Sequence, residues 1–435
     1  MTKSELTAKI EEHKLSLPVS DSLEELAKSR PLKGTPYTLR NSITVHPIEV
    51  FRNDPDGSPN EYTYRQYTRF AESGASLIWF EAVAVQEDAR SSNGQLMLNE
   101  DNVDSYKRLV DMIHEKSGGV PVIIQLTHSG RFSKKDGKPA PVITYHNPIM
   151  NNALNIPAEH PVVTDEYLDR LEETFVKAAI LSEKAGFDGV DVKACHRYLL
   201  GEIVSAYLRE GKYGGSYENR VKRVRNTMRG TRQGLSADKI VASRFGVYDG
   251  FAYPYGFGVD KEDYMIPDLE EPLRLIKELH SDGMTLMNFT MGTPYVNPHV
   301  NRPYSHGAYL PQEHPLAGVD RLIKHAGICQ RECPEVNIIG TGYSYLGEAA
   351  QYVAAGALES KMITAVGFGR MAIAYKDYAR DMVEGKFDTK KSCLTCGKCV
   401  EIVRAGGPTG CPVRDSEMFV PIYKEYVQKP KESAK

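Results

Sequence analysis

The stretch "EYLDRLEETFVKAAILSEKAGFDGVDV" (residues 166–192) holds one helical pattern followed by one strand pattern. "FDGVDV" (187–192) is a short apolar run of the kind that forms a strand buried on both faces. Gly186 is suited to end the preceding helix. Apolar residues before it fall near one helical stripe, formed by Leu168, Leu171, Phe175, Ala178 and Ile180. A helix that runs into a buried strand is the repeating unit of parallel α/β folds.

Seven similar runs occur elsewhere in the chain, most of them followed by an amphipathic stretch. They are "SITV" (42–45), "SLIWF" (76–80), "VPVIIQL" (120–126), "KIVASRF" (239–245), "MTLMNF" (284–289), "VNIIGTG" (336–342) and "MITAVGFG" (362–369). Eight strand–helix alternations predict an α/β fold of the (β/α)8 TIM-barrel type with a short cysteine-rich appendix at the C-terminus. A doubly wound open sheet remains the alternative, because strand count separates the two weakly.

The composition is that of an ordinary globular protein. The chain has 435 residues, 41% of them hydrophobic, and a formal net charge of -3. This charge gives no reason to expect nucleic acid or a membrane surface as a partner. Residues 1–20 lack the apolar core of a signal peptide, so we expect a cytoplasmic protein. We predict an N-terminal extension (1–30), a barrel (31–386) and a cysteine-rich segment with a tail (387–435).

Glycine-rich turns follow the last two predicted strands. "GTGYS" (340–344) and "GFGR" (367–370) would expose backbone N–H groups at helix starts, where phosphates bind in barrels of this type. Arg370 would add a charged clamp. The alternative is that these glycines only make tight turns.

The ends of other predicted strands carry side chains that are suited to ligand binding or proton transfer. Gln125 and Arg244 suit a heterocycle with imide edges, although Arg244 would alternatively pair with an acid. Tyr198 is a candidate proton donor or a core residue. Lys193 and His196 would bind a carbonyl or carboxylate. Lys193 would alternatively form a Schiff base or a plain salt bridge.

Four of the seven cysteines stand close together near the C-terminus, in "SCLTCGKCVEIVRAGGPTGC" (392–411). The metal-ligand candidates are Cys393, Cys396, Cys399 and Cys411. Three thiols in a C-x-x-C-x-x-C run with a distant fourth suit a cubane iron–sulfur cluster. A structural zinc site with four thiolates is the alternative.

Three strings resemble the Old Yellow Enzyme family. "QLTHSGR" (125–131), "YLL" (198–200) and "YGGSYENR" (213–220) occur in this order on the strand–helix alternation. The similarity is greatest to the branch of 2,4-dienoyl-CoA reductase and trimethylamine dehydrogenase, for the barrel part only. The resemblance implies an FMN-binding barrel and redox chemistry, often reduction of a C=C bond conjugated to a carbonyl.

The resemblance also assigns roles by position. It implies that Tyr198 donates a proton and that His196 and the residue three before it hold the activating oxygen of the substrate. The implied flavin and phosphate contacts are Pro47, Ile48, Ala82, Gln125, Arg244, Gly342, Tyr343, Phe368, Gly369 and Arg370. The related branch carries a [4Fe-4S] cluster after its barrel, and the four cysteines stand at the corresponding place, with one residue fewer between the second and third.

Two positions depart from the family pattern. Lys193 stands where relatives have His, which favours a more anionic acceptor such as a carboxylate. Glu49 stands near the reactive edge of the flavin, where many relatives have Thr or Cys. A carboxylate there disfavours an anionic reduced flavin unless it is protonated or paired.

These observations lead to one functional prediction. We expect an FMN-dependent oxidoreductase, an ene-reductase with Tyr198 as proton donor, acting on a small molecule with an electron-withdrawing polar group. Electrons would come from NAD(P)H or from an electron-transfer protein, and self-association into a homo-oligomer is left open. The alternatives are a flavin-dependent dehydrogenase or demethylase running in the oxidative direction, and a flavin-free lyase that uses Lys193.

Overall fold

The protein is a closed barrel of eight parallel strands. The computed structural model describes residues 1–307 and 309–430. The barrel strands are β1 Ile43–Val45, β2 Ile78–Ala84, β3 Val122–Thr127, β4 Gly189–Val192, β5 Ile240–Gly246, β6 Leu286–Thr290, β7 Asn337–Gly340 and β8 Ala365–Phe368. Each strand pairs with the next, and β8 pairs with β1. The predicted TIM barrel is confirmed, and the open-sheet alternative is wrong.

One helix follows each strand and covers the outside of the barrel. In chain order these helices are Glu61–Ala71, Val103–Ser117, Asp165–Lys184, Tyr217–Gly234, Glu270–Ser281, Pro315–Glu332, Ala350–Glu359 and Tyr378–Val383. Their apolar faces pack on the strands in one continuous core. The Thr164 hydroxyl caps the third of them by accepting a hydrogen bond from Tyr167 N at 3.2 Å.

Shorter elements fill the connections and the two ends of the chain. The other α-helices are Lys3–His13, Glu24–Ala27, Pro148–Leu154, Leu199–Ile203, Pro298–Asn301, Arg370–Ala374, Lys398–Arg404 and Ser416–Tyr423. Short 3-10 or π segments lie at Glu87–Ala89, Gly130–Phe132, Tyr343–Ala349, Thr389–Lys391 and Lys424–Gln428. Two small antiparallel hairpins pair Arg30–Pro31 with Thr38–Leu39 and Lys134–Lys135 with Lys138–Pro139.

The first hairpin closes the N-terminal end of the barrel. Leu32 and Leu39 pack with inward-facing strand residues, including Trp79 and Ile123, in a second apolar cluster. The Tyr37 hydroxyl donates to Asp188, just before β4, at 3.1 Å. With this end filled, the opposite mouth is the end at which a ligand site can open.

The N-terminal and C-terminal segments both pack on the barrel. Leu6 and Leu26, in the N-terminal segment, are fully buried in the core. In the last segment, Asp415 accepts a forked pair of hydrogen bonds from Arg65 at 2.6 and 2.8 Å. The predicted boundaries at residues 30 and 386 stay predictions, and residues 431–435 lie outside the described part. Among the described residues, every helix is too short or too polar to cross a membrane.

One residue of the predicted helical stripe is misplaced. Leu168, Leu171 and Phe175 are buried as expected, but Ile180 is 48% exposed. At 100° per residue, Ile180 lies about 160° around the helix from the centre of the stripe formed by Leu168, Leu171, Phe175 and Ala178, whereas Leu181 lies about 100° from that centre. Ile180 therefore leaves the face that packs on the barrel, and Leu181 is buried in its place.

Candidate active site

A cavity of about 390 Å³ opens at the C-terminal mouth of the barrel. Residues in or just after the C-terminal ends of seven of the eight strands line it, together with residues of the C-terminal segment. Its volume is in the range of small-molecule and cofactor sites. The predicted site residues whose side chains or backbones line it are Pro47, Ile48, Glu49, Gln125, Lys193, His196, Tyr198, Arg244, Gly342, Gly369 and Arg370.

The floor of the cavity is a hydrogen-bonded network inside the barrel. Gln125 Nε2 donates to Asp191 Oδ2 at 2.6 Å, and Trp79 Nε1 donates to the same oxygen at 2.8 Å. The backbone N–H of Arg244 donates to Asp191 Oδ1 at 2.6 Å. Gln125 and Arg244, which the sequence singled out, are therefore joined by Asp191, which it did not.

Lys193, His196 and Tyr198 follow β4 and face the same cavity. Lys193 Nζ lies 4.0 Å from the centre of the Tyr198 ring. Burial lowers the pKa of Lys193, and Glu49 partly opposes that shift. Burial, with Arg244 and Lys193 nearby, holds the pKa of His196 well below its usual value, so its imidazole is neutral at pH 7.

The backbone that carries His196 is in an unusual conformation. His196 and Arg197 have φ of 61° and 62°, the left-handed region that L-residues rarely adopt. Arg197 is held by Asp249 at 2.6 Å and by the Tyr145 hydroxyl at 2.8 Å. The His196 carbonyl also accepts a hydrogen bond from Thr293 Oγ1 at 3.1 Å. This buried network fixes a turn that would otherwise relax.

Tyr198 has a second phenol as its partner. Its hydroxyl lies 2.6 Å from the hydroxyl of Tyr295, on the loop after β6. The Tyr295 ring stacks on Phe132, with centroids 4.0 Å apart and planes at 26°. Tyr198 is 1% exposed and Tyr295 is 40% exposed. The two tyrosines are 97 residues apart, and no local pattern in the sequence marks their contact.

Glu49 lies at the cavity wall beside the C-terminal segment. Its Oε1 accepts a hydrogen bond from Gln95 Nε2 at 2.8 Å. Burial raises its pKa, and Lys193 opposes the shift. The Glu49 carbonyl accepts a hydrogen bond from Thr409 Oγ1 at 2.6 Å. Glu49, one of the two residues that depart from the family pattern, thus contacts both the barrel and the C-terminal segment.

The turns after β7 and β8 form the other end of the cavity. Gly342 in the first turn has φ of 102°. At Gly367, inside β8, a Cβ would come within 2.1 Å of the His46 ring, so both positions require glycine. Tyr343 and Phe368 have buried side chains that belong to the barrel core. Ala82 is also buried, and its carbonyl accepts from Gln95 at 3.3 Å. Contacts of these last three with a ligand stay predictions.

The charge of the cavity lining is predominantly positive. Five basic side chains line it, and Glu49 is the acidic residue among the described lining residues. Burial and the neighbouring Arg370 lower the pKa of Arg302 to about 10. The basic residues are Lys193, Arg244, Arg302, Arg370 and Arg404. Such a lining suits a ligand that carries phosphate or carboxylate groups.

The C-terminal segment forms one wall of the cavity, which the sequence did not reveal. Cys399, Val403 and Arg404, on the helix Lys398–Arg404, line the cavity together with Thr409. No local pattern marks such a contact, because it depends on how the segment docks on the barrel. The docking contacts include Thr409 N, which donates to the Val50 carbonyl at 3.0 Å.

The four cysteines of the C-terminal segment line a second, smaller cavity. Backbone N–H groups donate to Cys393 Sγ at 3.3 Å and to Cys411 Sγ at 3.4 Å. Within residues 1–307 and 309–430, no group of three or more His, Cys, Asp or Glu side chains has metal-binding geometry. The metal assignment of Cys393, Cys396, Cys399 and Cys411 therefore stays a prediction.

A sequence model of the NADH:flavin oxidoreductase / NADH oxidase family matches residues 30–280, more than half of the chain. The chain belongs to this family. The resemblance to the Old Yellow Enzyme family is confirmed, and the protein is a flavin-dependent oxidoreductase. Family membership disfavours the flavin-free lyase that the sequence left open.

Several members of this family are similar in sequence. An NADPH dehydrogenase of Listeria welshimeri is 30% identical over 259 residues, which cover 59% of this chain and 70% of the relative. An NADPH dehydrogenase of Bacillus pumilus is 28% identical over 267 residues, 60% of this chain and 71% of the relative.

Solved structures share the fold. A 2-naphthoyl-CoA reductase in complex with 2-naphthoyl-CoA has a TM-score of 0.72 at 18% identity and covers 93% of this chain. The chain spans 58% of that reductase. Morphinone reductase has a TM-score of 0.59 at 21% identity, covering 84% of this chain and 91% of its own. At these identities the likeness shows the fold alone.

The residues of the cavity fit FMN. Arg244 Nε and Arg302 Nε are buried without a hydrogen-bond partner, so both guanidinium groups have donors left for a ligand. Gln125 offers amide groups that match the imide edge of the isoalloxazine ring. Gly342, Gly369 and Arg370 would hold the phosphate, and Arg244 would stabilise negative charge on the ring.

Proposed function

We propose that the protein is an FMN-dependent ene-reductase that acts on a C=C bond conjugated to an anionic or strongly polar group. FMN, when bound, supplies hydride from N5 of its reduced ring. The observation that carries this proposal is the convergence of Lys193, His196 and Tyr198 on the cavity that fits the cofactor.

Lys193 and His196 would bind the activating group of the substrate. A neutral His196 donates one hydrogen bond, whereas a charged Lys193 adds an ammonium that favours a carboxylate. The four arginines that also line the cavity support the same class of substrate. Withdrawal of electron density by these two residues would make the distal alkene carbon accept hydride.

Tyr198 would protonate the other alkene carbon. Burial raises the pKa of its phenol well above the usual value. A phenol that stays protonated at neutral pH is suited to act as an acid. Tyr295, at 2.6 Å, would donate a hydrogen bond to the Tyr198 oxygen as its proton leaves. The same geometry would serve the oxidative direction, which is the second candidate function.

NADPH is the proposed electron donor. The two relatives described above carry the name NADPH dehydrogenase. A protein electron donor is the alternative, which the cysteine segment supports. Cys399 lines both the cavity at the mouth of the barrel, here called the flavin cavity, and the smaller cavity of the four cysteines, here called the cysteine cavity. Four thiols with two N–H···S hydrogen bonds suit an iron–sulfur cluster, and zinc is the alternative.

Two measurements test the proposal. Anaerobically purified protein, analysed for flavin, iron and zinc, should contain FMN and iron rather than zinc. Flavin reduced with NADPH should then be reoxidised by trans-cinnamate, an unsaturated carboxylate. Tyr198→Phe should slow that reoxidation by roughly 10²–10⁴-fold, the usual contribution of a general acid, and leave reduction by NADPH unchanged. Equal reoxidation rates in both proteins would remove Tyr198 as the acid.

A further inference from the structure

Asp191 is buried under the flavin cavity and accepts hydrogen bonds on both carboxylate oxygens. Two of its three donors, the Trp79 indole N–H and the Arg244 backbone N–H, cannot act as acceptors. The first donates to Oδ2 and the second to Oδ1. A side chain at this position must therefore offer an acceptor in both directions. Aspartate does so, whereas asparagine would turn an N–H towards one of the two donors.

The carboxylate in turn fixes the orientation of Gln125. Its Oδ2 lies 2.6 Å from the Gln125 side chain, and an acceptor there requires the amide nitrogen of Gln125. The two residues are register partners on β3 and β4, so they cannot slide apart. Because Asp191 holds the amide nitrogen of Gln125, the carbonyl oxygen of Gln125 and its second N–H meet the cavity in one fixed order.

We infer that Asp191 is a flavin-positioning residue: through Gln125 it sets the order of donor and acceptor groups that meets the imide edge of the ring. The imide presents N3–H between two carbonyls, so a Gln125 amide turned by 180° would set N–H against N3–H. Asp191 does not face the substrate, and its role is independent of which alkene is reduced. Asp191 also lies close enough to Arg244 to offset part of the positive charge of its guanidinium group.

A pair of substitutions can reverse this polarity while leaving the network satisfied. Trp79→Phe removes the indole N–H from Oδ2. In the double variant with Asp191→Asn, the new carbonyl can accept from Arg244 N–H and the new NH2 group replaces Oδ2. That NH2 group requires an acceptor, so Gln125 should turn its carbonyl inwards and its nitrogen towards the cavity. Trp79→Phe alone keeps the carboxylate and is the matched control.

The readout is the preference of the apoprotein for FMN over N3-methyl-FMN, measured by quenching of flavin fluorescence. Wild type and Trp79→Phe should prefer FMN by roughly tenfold, because the analogue leaves the Gln125 carbonyl without its donor. In the double variant this preference should be roughly tenfold smaller than in the wild type and in Trp79→Phe. Steric effects of the methyl group are common to all three proteins and cancel. A double variant that keeps the wild-type preference would overturn the assignment.

A second measurement holds if the double variant does not fold. Wild-type protein loaded with FMN labelled with ¹⁵N at N3 should show an N3–H proton that is protected from exchange with water. An N3–H that exchanges as fast as in free FMN would mean that Gln125 does not accept from it, and would also overturn the inference.

Discussion

Asp249→Ala should destabilise the protein strongly, because it leaves a buried guanidinium without its counter-ion. Arg197 is 0% exposed and Asp249 10% exposed, and their charged atoms lie 2.6 Å apart. Removing one partner of such a pair costs roughly 3–5 kcal/mol. The exposed pair of Arg274 and Glu218, with exposures of 50% and 65%, gives a matched control. Glu218→Ala should cost roughly 0.2–1 kcal/mol.

Urea unfolding followed by tryptophan fluorescence can measure both losses. Trp79 is the single tryptophan of the chain and lies inside the barrel, so its emission reports on the core. The loss for Asp249→Ala should exceed that for Glu218→Ala severalfold. Equal losses in the two variants would refute the argument that this pair is worth more because it is buried.

The same substitution should also disturb the ligand site. Holding His196 and Arg197 in the left-handed region costs roughly 1–2 kcal/mol per residue. Once Arg197 loses its anchor, the turn can relax and His196 can leave the cavity. Binding of benzoate to the FMN-loaded protein, followed by the flavin spectrum, should therefore weaken in Asp249→Ala and not in Glu218→Ala.

Three further outcomes can be measured. Tyr295→Phe keeps the ring stacked on Phe132 but removes the partner of Tyr198, so reoxidation by trans-cinnamate should slow roughly tenfold with NADPH reduction unchanged; an unaltered rate would exclude the contact from catalysis. Asp415→Ala removes the anchor of the C-terminal segment, so limited proteolysis should cut that segment first; an unchanged cleavage pattern would contradict the anchoring role. Burial lowers the pKa of Lys193, so the affinity for benzoate should decline as the pH rises, and the decline should occur below pH 10.5, the pKa of an ordinary lysine. Lys193→Met should bind benzoate weakly at every pH. A parallel decline in that variant would assign the titration to another group.

The sequence predicts the barrel well because its signals are local. Buried parallel strands appear as short apolar runs, and each of the eight predicted runs overlaps a strand of the barrel. Ends are less certain, since "SLIWF" suggests a strand that stops at Phe80 whereas β2 continues to Ala84. The helical stripe is also less exact than the strand pattern, since Ile180 lies outside the buried face.

The site was predicted in part, for a related reason. Residues at strand ends, such as Gln125, Lys193 and Tyr198, can be found because the topology brings strand ends together. Asp191 cannot be found in this way, since nothing in "FDGVDV" indicates that its carboxylate accepts hydrogen bonds from three donors on three other strands. Arg404 belongs to the cavity through long-range docking of the C-terminal segment, which leaves no periodic signal.

The helix Lys398–Arg404 is a partition between two chambers. Cys399 faces the flavin cavity and the cysteine cavity at once, and Arg404 faces the flavin cavity from the same helix. Alkylation or oxidation of Cys399 would therefore alter the lining of both cavities. Modification of Cys399 should therefore change the absorption spectrum of the bound flavin.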